Sequence, residues 1–230
     1  MTRGGLIREL TRLKNPKKAV YVAHYFKTGK GEYGEGDVFI GLTVPQVRAI
    51  AKKYRDLPLT DIEKLLHNNI HEYRLTALII LTEKYKRAVN KKEIVDLYLK
   101  NTRYINNWDL VDLSSHELLG TFLLDKPRTI LYKLAKSKNI WERRIAVIST
   151  FAFLRQNDVS DSLALAEILL HDAHDLMHKA VGWMLREAGK RDEKALIDFL
   201  AKHYKTMPRT MLRYAIEKFS PSRRALYLAK

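Results

Sequence analysis

The 230-residue chain contains no cysteine. That absence removes a disulfide framework, a thiolate zinc site, an iron-sulfur cluster and a cysteine nucleophile, and it is ordinary in a reducing cytosol. Long apolar runs are missing too. Nothing approaches the roughly 18 residues that a membrane span needs, and residues Met1 to Asn15 carry charges where a secretory leader would be apolar. Glycine is scarce after the first 41 residues, which hold seven of the ten; Gly120, Gly182 and Gly189 are all that remain. Negative charge is in short supply, with 26 Asp and Glu against 42 Lys and Arg, for a formal net charge of +16.

What is present is enough for a folded core, since 46% of the residues are hydrophobic and 30% charged. Disorder is excluded, and the expectation is one soluble cytoplasmic domain over residues 1–230. The positive excess points to a polyanionic partner, whether nucleic acid, an anionic membrane or an acidic protein. Its distribution narrows the reading: residues 1–60, 61–160 and 161–230 carry +7, +5 and +4. No basic tail exists, so the charge belongs to an extended folded surface.

The scarcity of glycine beyond residue 41 favours helices. Leu75, Leu78, Ile79 and Thr82, and again Leu165, Ile168 and Leu169, recur at the interval of a buried helical stripe. Start signals are frequent: Thr60-x-x-Glu63 reads as a capping box, and Pro45, Pro127 and Pro221 follow Thr43, Asp125 and Ser220. Thr43 and Thr60 are the expected N-caps. Helices are expected to begin near His71, Asn107, Ile140 and Asp175, and second helices near Lys91, Arg128, Ser160 and Asp192. Both series have a period in the middle thirties. Helix pairs at that period predict an all-α chain, an α-solenoid of HEAT-like pairs whose equivalent helices line one concave, basic wall. The tetratricopeptide signature is absent.

Three constellations could carry chemistry. Gly29-Lys30-Gly31-Glu32-Tyr33-Gly34 satisfies G-x-G-x-x-G, but Glu35-Gly36-Asp37 and Phe39 intervene before the next helix and no βαβ unit follows. A kinase loop is excluded by the missing V-A-I-K lysine. The segment reads as a flexible connection from which Lys27 and Lys30 could reach a phosphate. His171, Asp172, His174, Asp175 and His178 raise a metal site, against which His171 and Asp172 fall where one helix ends and the next begins; no metal and no cofactor is expected. The third set is Trp108 and Asp112, four apart on one helical face, with Arg144 and Trp183 at equivalent places in the following repeats.

These residues carry a resemblance. The sequence resembles the AlkD-type DNA alkylation repair glycosylases, which are built from HEAT-like repeats. The likeness runs in order through Asn15-Pro16-Lys17-Lys18-Ala19 to Tyr25, Phe39-Ile40-Gly41-Leu42-Thr43-Val44-Pro45 with Arg48, Tyr85-Lys86-Arg87, Trp108-Asp109-x-Val111-Asp112, Asn139-Ile140-Trp141-x-x-Arg144 and Gly182-Trp183-x-Leu185-Arg186-Glu187. It covers most of the chain. It implies an active site of Trp108, Asp112, Arg144 and Trp183, with the DNA backbone met by Tyr25. Lys27, Lys30, Arg143, Lys179 and Arg186 are the further expected DNA contacts. The longer Gly-rich connection from Lys27 to Asp37 departs from the best-known members, at a place that bears on substrate preference and local DNA contacts.

The resemblance implies a monofunctional glycosylase that removes cationic N-alkylpurines, such as 7-methylguanine and 3-methyladenine, from double-stranded DNA in base excision repair. It also implies backbone and sugar recognition in which the base need not enter a protein pocket. The expected partner is alkylated duplex DNA, with no membrane, and the expected state is a monomer. The alternative is a non-catalytic HEAT-like protein that binds damaged or branched DNA. A protein-binding scaffold is disfavoured by the charge.

Overall fold

The computed structural model describes residues 1–229 and is helical throughout; among these residues no strand forms, and one isolated bridge joins Val38 to Ile70. The chain divides into two compact units, Met1–Ser114 and Ser115–Lys230. No helix among the described residues is long and apolar enough to cross a membrane.

In the first unit α1 (Arg3–Arg12), α2 (Pro16–Tyr25), α3 (Val44–Lys53), α4 (Leu59–Leu66), α5 (His71–Arg87) and α6 (Lys91–Lys100) are followed by a 3₁₀ turn, Thr102–Tyr104, and by the start of α7 (Trp108–Ser115). The central member is α5, whose residues from His71 to Thr82 are buried on every side. Its middle, Leu75 to Leu81, is apolar except for Thr76 and forms the core, while its first turn buries His71, Glu72 and Arg74; α3, α4 and α6 pack against it. By contrast α2 buries none of its residues and leaves Val20, Tyr21 and Tyr25 exposed.

The second unit holds a π-helical turn, His116–Gly120, then α8 (Thr129–Ala135), α9 (Ile140–Ser149), α10 (Phe151–Leu154), α11 (Ser160–Ile168), α12 (Asp175–Gly189), α13 (Glu193–His203), α14 (Arg209–Ala215) and α15 (Pro221–Leu228). Here α12 is central and packs on α9, α11, α13 and α14. Gly182 permits its approach to α14, because a Cβ there would lie 2.6 Å from the Met211 carbonyl oxygen.

The first helices expected at His71, Ile140 and Asp175 begin there, and the one expected at Asn107 begins one residue later at Trp108. Second helices begin at Lys91 and Ser160 as expected, and at Thr129 and Glu193, each one residue late. Thr43 forms a reciprocal capping box with Gln46, and Ser220 caps α15. Thr60 is not a cap. Pro58 holds the N-cap position in extended backbone, so α4 starts at Leu59 with Thr60 already inside it. Glu63 is drawn instead to Asn101 Nδ2 at 3.1 Å and Lys100 Nζ at 3.0 Å.

Candidate active site

The Gly-rich segment connects α2 to α3, as expected, and forms a turn-rich loop closed on itself. Its own carboxylates tie it: Gly29 N–H donates to Glu32 at 2.9 Å and Gly31 N–H to Glu35 at 2.8 Å. Lys27 takes a left-handed φ of 52° and its carbonyl accepts the Gly34 N–H at 3.0 Å. Only glycine fits at position 34, where a Cβ would stand 2.3 Å from the Phe26 carbonyl oxygen. Beyond the loop, Glu72 in the first turn of α5 accepts the N–H groups of Ile40, Gly41 and Leu42 at 3.0, 2.8 and 3.2 Å. Three backbone donors on one buried carboxylate form strong, charge-assisted bonds.

The loop delivers Asp37 into the interior. One of its oxygens accepts from His71 Nδ1 at 2.9 Å and Asn107 Nδ2 at 3.2 Å; the other accepts from the Arg74 guanidinium and from Asn106 Nδ2 at 3.4 Å. The second ring nitrogen of His71, Nε2, reaches Asp109 Oδ2 at 2.8 Å. His71 is 1% exposed. Burial opposes its charge, but the charge and hydrogen bond of Asp109, joined by those of Asp37, outweigh burial and push the imidazole up to about 9. Burial likewise opposes ionisation of Asp37. His71, Arg74 and Asn107 outweigh that and hold its carboxyl below the usual carboxylate range.

Asp109 stands on α7 between the two residues singled out in the sequence. Trp108 begins that helix, its N–H donating to the Asn107 side chain at 2.8 Å, and Asp112 lies one turn further on. The Trp108 indole stacks on Phe26 at 5.2 Å between centroids and 17° between planes, with Tyr25 edge-on at 6.2 Å. Phe26 stacks on Phe39 at 5.1 Å, and Phe39 on His71 at 4.4 Å. Trp108 and Asp112 are both half-buried, and Tyr25 is 57% exposed. Burial raises the Tyr98 phenol above its ordinary range, its bond to Ser114 opposes this, and the Asp112 charge adds to the rise.

In the second unit Arg144 is buried, with Nη1 donating to the Leu176 carbonyl at 2.7 Å. Trp183 is half-buried beside Phe151, ring centroids 5.9 Å apart, and Arg155 lies over Phe151 at 4.7 Å. Arg143 is held by Asp172 at 2.6 Å and by the Ser137 carbonyl at 3.0 Å. Lys179 pairs with Asp175 at 2.7 Å, and Arg186 with Glu217 and, at 3.5 Å, with Glu187. In the first unit Lys27 and Lys30 are both exposed. The His171–His178 segment is absorbed by helix ends: His174 Nδ1 accepts the Leu176 N–H at 3.1 Å, and His178 Nε2 meets the Asp172 carbonyl at 2.5 Å. Among the described residues no group of three or more His, Asp and Glu could hold a metal ion.

Sequence reasoning brought Tyr25, Trp108 and Asp112 to this site and missed Asp37, His71, Arg74, Phe26 and Phe39. The available signal was Asp37 itself, a carboxylate closing a Gly-rich loop in the most basic part of the chain.

A half-buried tryptophan and a half-buried carboxylate thus lie one turn apart on α7, with the exposed Tyr25 against the indole. The model of the DNA alkylation repair enzyme family matches residues 6–219, and the chain belongs to that family. A role in repair of alkylated DNA, and with it DNA binding, follows. A solved structure described as a predicted DNA alkylation repair enzyme from Enterococcus faecalis superposes with a TM-score of 0.73 at 20% identity, over 90% of this chain and 97% of that one. No curated protein matches.

Proposed function

We propose that the protein is a monofunctional DNA glycosylase that hydrolyses the N-glycosidic bond of cationic N-alkylpurines in duplex DNA, the first step of base excision repair. The observation that carries this reading is the pairing of Trp108 and Asp112 on one face of α7, with the indole steadied by Phe26 and Tyr25. An alkylated purine such as 7-methylguanine or 3-methyladenine is already a cationic leaving group and needs no general acid. The demand falls on the oxocarbenium-like charge that develops on the deoxyribose, which must be favoured over the ground state. Asp112 supplies negative charge beside that sugar and orients the attacking water. The indole faces of Trp108 and Trp183 favour the same positive charge and keep bulk water out. Arg144, its guanidinium oriented by the Leu176 carbonyl, takes the phosphate role.

In this reading the helix pairs are HEAT-like repeats of a single domain, an α-solenoid whose basic concave face cradles duplex DNA. The protein works as a cytoplasmic monomer without a cofactor. Tyr25, Lys27 and Lys30 contact the backbone together with Arg143, Lys179 and Arg186, the last three of which already have acidic neighbours. Lesion choice then comes from the lability of the cationic base. The test is incubation with duplex DNA containing 7-methylguanine and chromatography of released base. Base release with an abasic product is expected, and affinity should fall steeply with salt. Binding without release would leave the non-catalytic alternative; affinity indifferent to salt would remove both.

A further inference from the structure

His71 is tied at both ring nitrogens to carboxylate oxygens, Asp37 on the loop side and Asp109 on α7. Ionised carboxylates only accept, so while Asp37 and Asp109 are both ionised the two ring nitrogens each carry a hydrogen and the ring is an imidazolium. The charged groups facing it are Asp37 from the loop and Asp109 from α7, while Arg74 from α5 shares Asp37; with His71 protonated the set is neutral. Glu72, next to it on α5, is turned to the Ile40–Leu42 backbone.

Two routes run from this ring to Trp108. One is covalent, since Asp109 is the next residue on α7. The other is the column of rings from His71 through Phe39 and Phe26 to the indole, each step 4.4 to 5.2 Å. Asn107 also fixes the start of α7, donating to Asp37 and accepting the Trp108 backbone N–H. Loss of the proton from His71 would leave one of the two carboxylates facing a lone pair, in surroundings where an unmatched buried charge is costly.

We propose that the Asp37–His71–Asp109 bridge positions Trp108, and that it does so only while His71 is doubly protonated, making His71, Asp37 and Asp109 positioning residues for the reaction on the sugar. This rests on the reading that Trp108 faces the reacting deoxyribose. The Gly-rich loop thereby gains a role at the site: it is the strut that carries Asp37 to the bridge.

The test is nuclear magnetic resonance of the intact protein, with the Trp108 indole N–H assigned through Trp108→Phe. Between pH 7 and 10.5 the His71 ring should titrate with a midpoint near 9, and the indole resonance should shift with the same midpoint. In His71→Gln the shift should vanish, while single-turnover release of 7-methylguanine falls about tenfold and duplex affinity stays within twofold. Asp109→Asn, which keeps the side-chain shape, should reproduce the slower release if His71→Gln does not fold. A His71 ring that is neutral at pH 7, or an indole resonance unmoved while His71 titrates, would overturn the proposal. The indole titration reads the bridge even if no base is released, so its failure and that of the glycosylase reading are separable.

Discussion

His71 and the histidines of the 171–178 segment show how neighbours decide what one residue type does. At the head of α5, His71 is clasped by two carboxylates and pushed up to about 9. At the head of α12, His174 uses Nδ1 as an N-cap acceptor, which requires an unprotonated nitrogen. Burial, despite nearby Asp172 and Asp175, holds its pKa below the ordinary histidine range. Both rings open a helix and both have acidic residues nearby. One becomes a fixed cation beside the candidate catalytic helix, the other a neutral cap.

The largest effect that should separate the two is mutational. His71→Leu leaves the buried Asp37 and the half-buried Asp109 without their common partner and is expected to cost about 3–5 kcal/mol of stability, read by urea denaturation. His174→Ala removes one cap and should cost about 1 kcal/mol. Equal costs would break the comparison.

The pH dependence should differ in sign. The folded state holds its His71 proton more tightly than the unfolded chain, so the stabilisation is complete below about pH 6.5 and is lost as pH rises through about 9. His174 resists protonation in the folded state, so its share is present above about pH 6.5 and lost as pH falls below that. Denaturation midpoints measured from pH 5 to 10 should therefore lose their alkaline fall in His71→Gln and soften their acid fall in His174→Ala.

The smallest effect is expected at Lys179, whose bond to Asp175 is an exposed i,i+4 pair. Lys179→Ala should change stability by no more than about 0.5 kcal/mol, while the proposed phosphate contact predicts a lower salt slope of duplex binding.

The helix starts were legible because apolar spacing, caps and proline act within a few residues. The expected starts at His71, Lys91, Ile140, Ser160 and Asp175 coincide with those of α5, α6, α9, α11 and α12. Thr60 failed because its capping pattern competes with Pro58, whose fixed backbone sets the helix start first. Trp108 and Asp112 were visible as a pair because one helical turn joins them. Asp37 was not, since its partners His71, Arg74 and Asn107 lie 34, 37 and 70 residues away. The column of Phe26, Phe39 and His71 has the same origin: three rings from three segments, with no common period.

The most direct measurement is the single-turnover rate of 7-methylguanine release from duplex DNA by wild type and by Asp112→Asn at equal occupancy. The wild type should release base, and Asp112→Asn should be slower by about a hundredfold or more with duplex affinity kept, as expected when a group acting on transition-state charge is removed. Equal rates, or no release by the wild type above background, would contradict it.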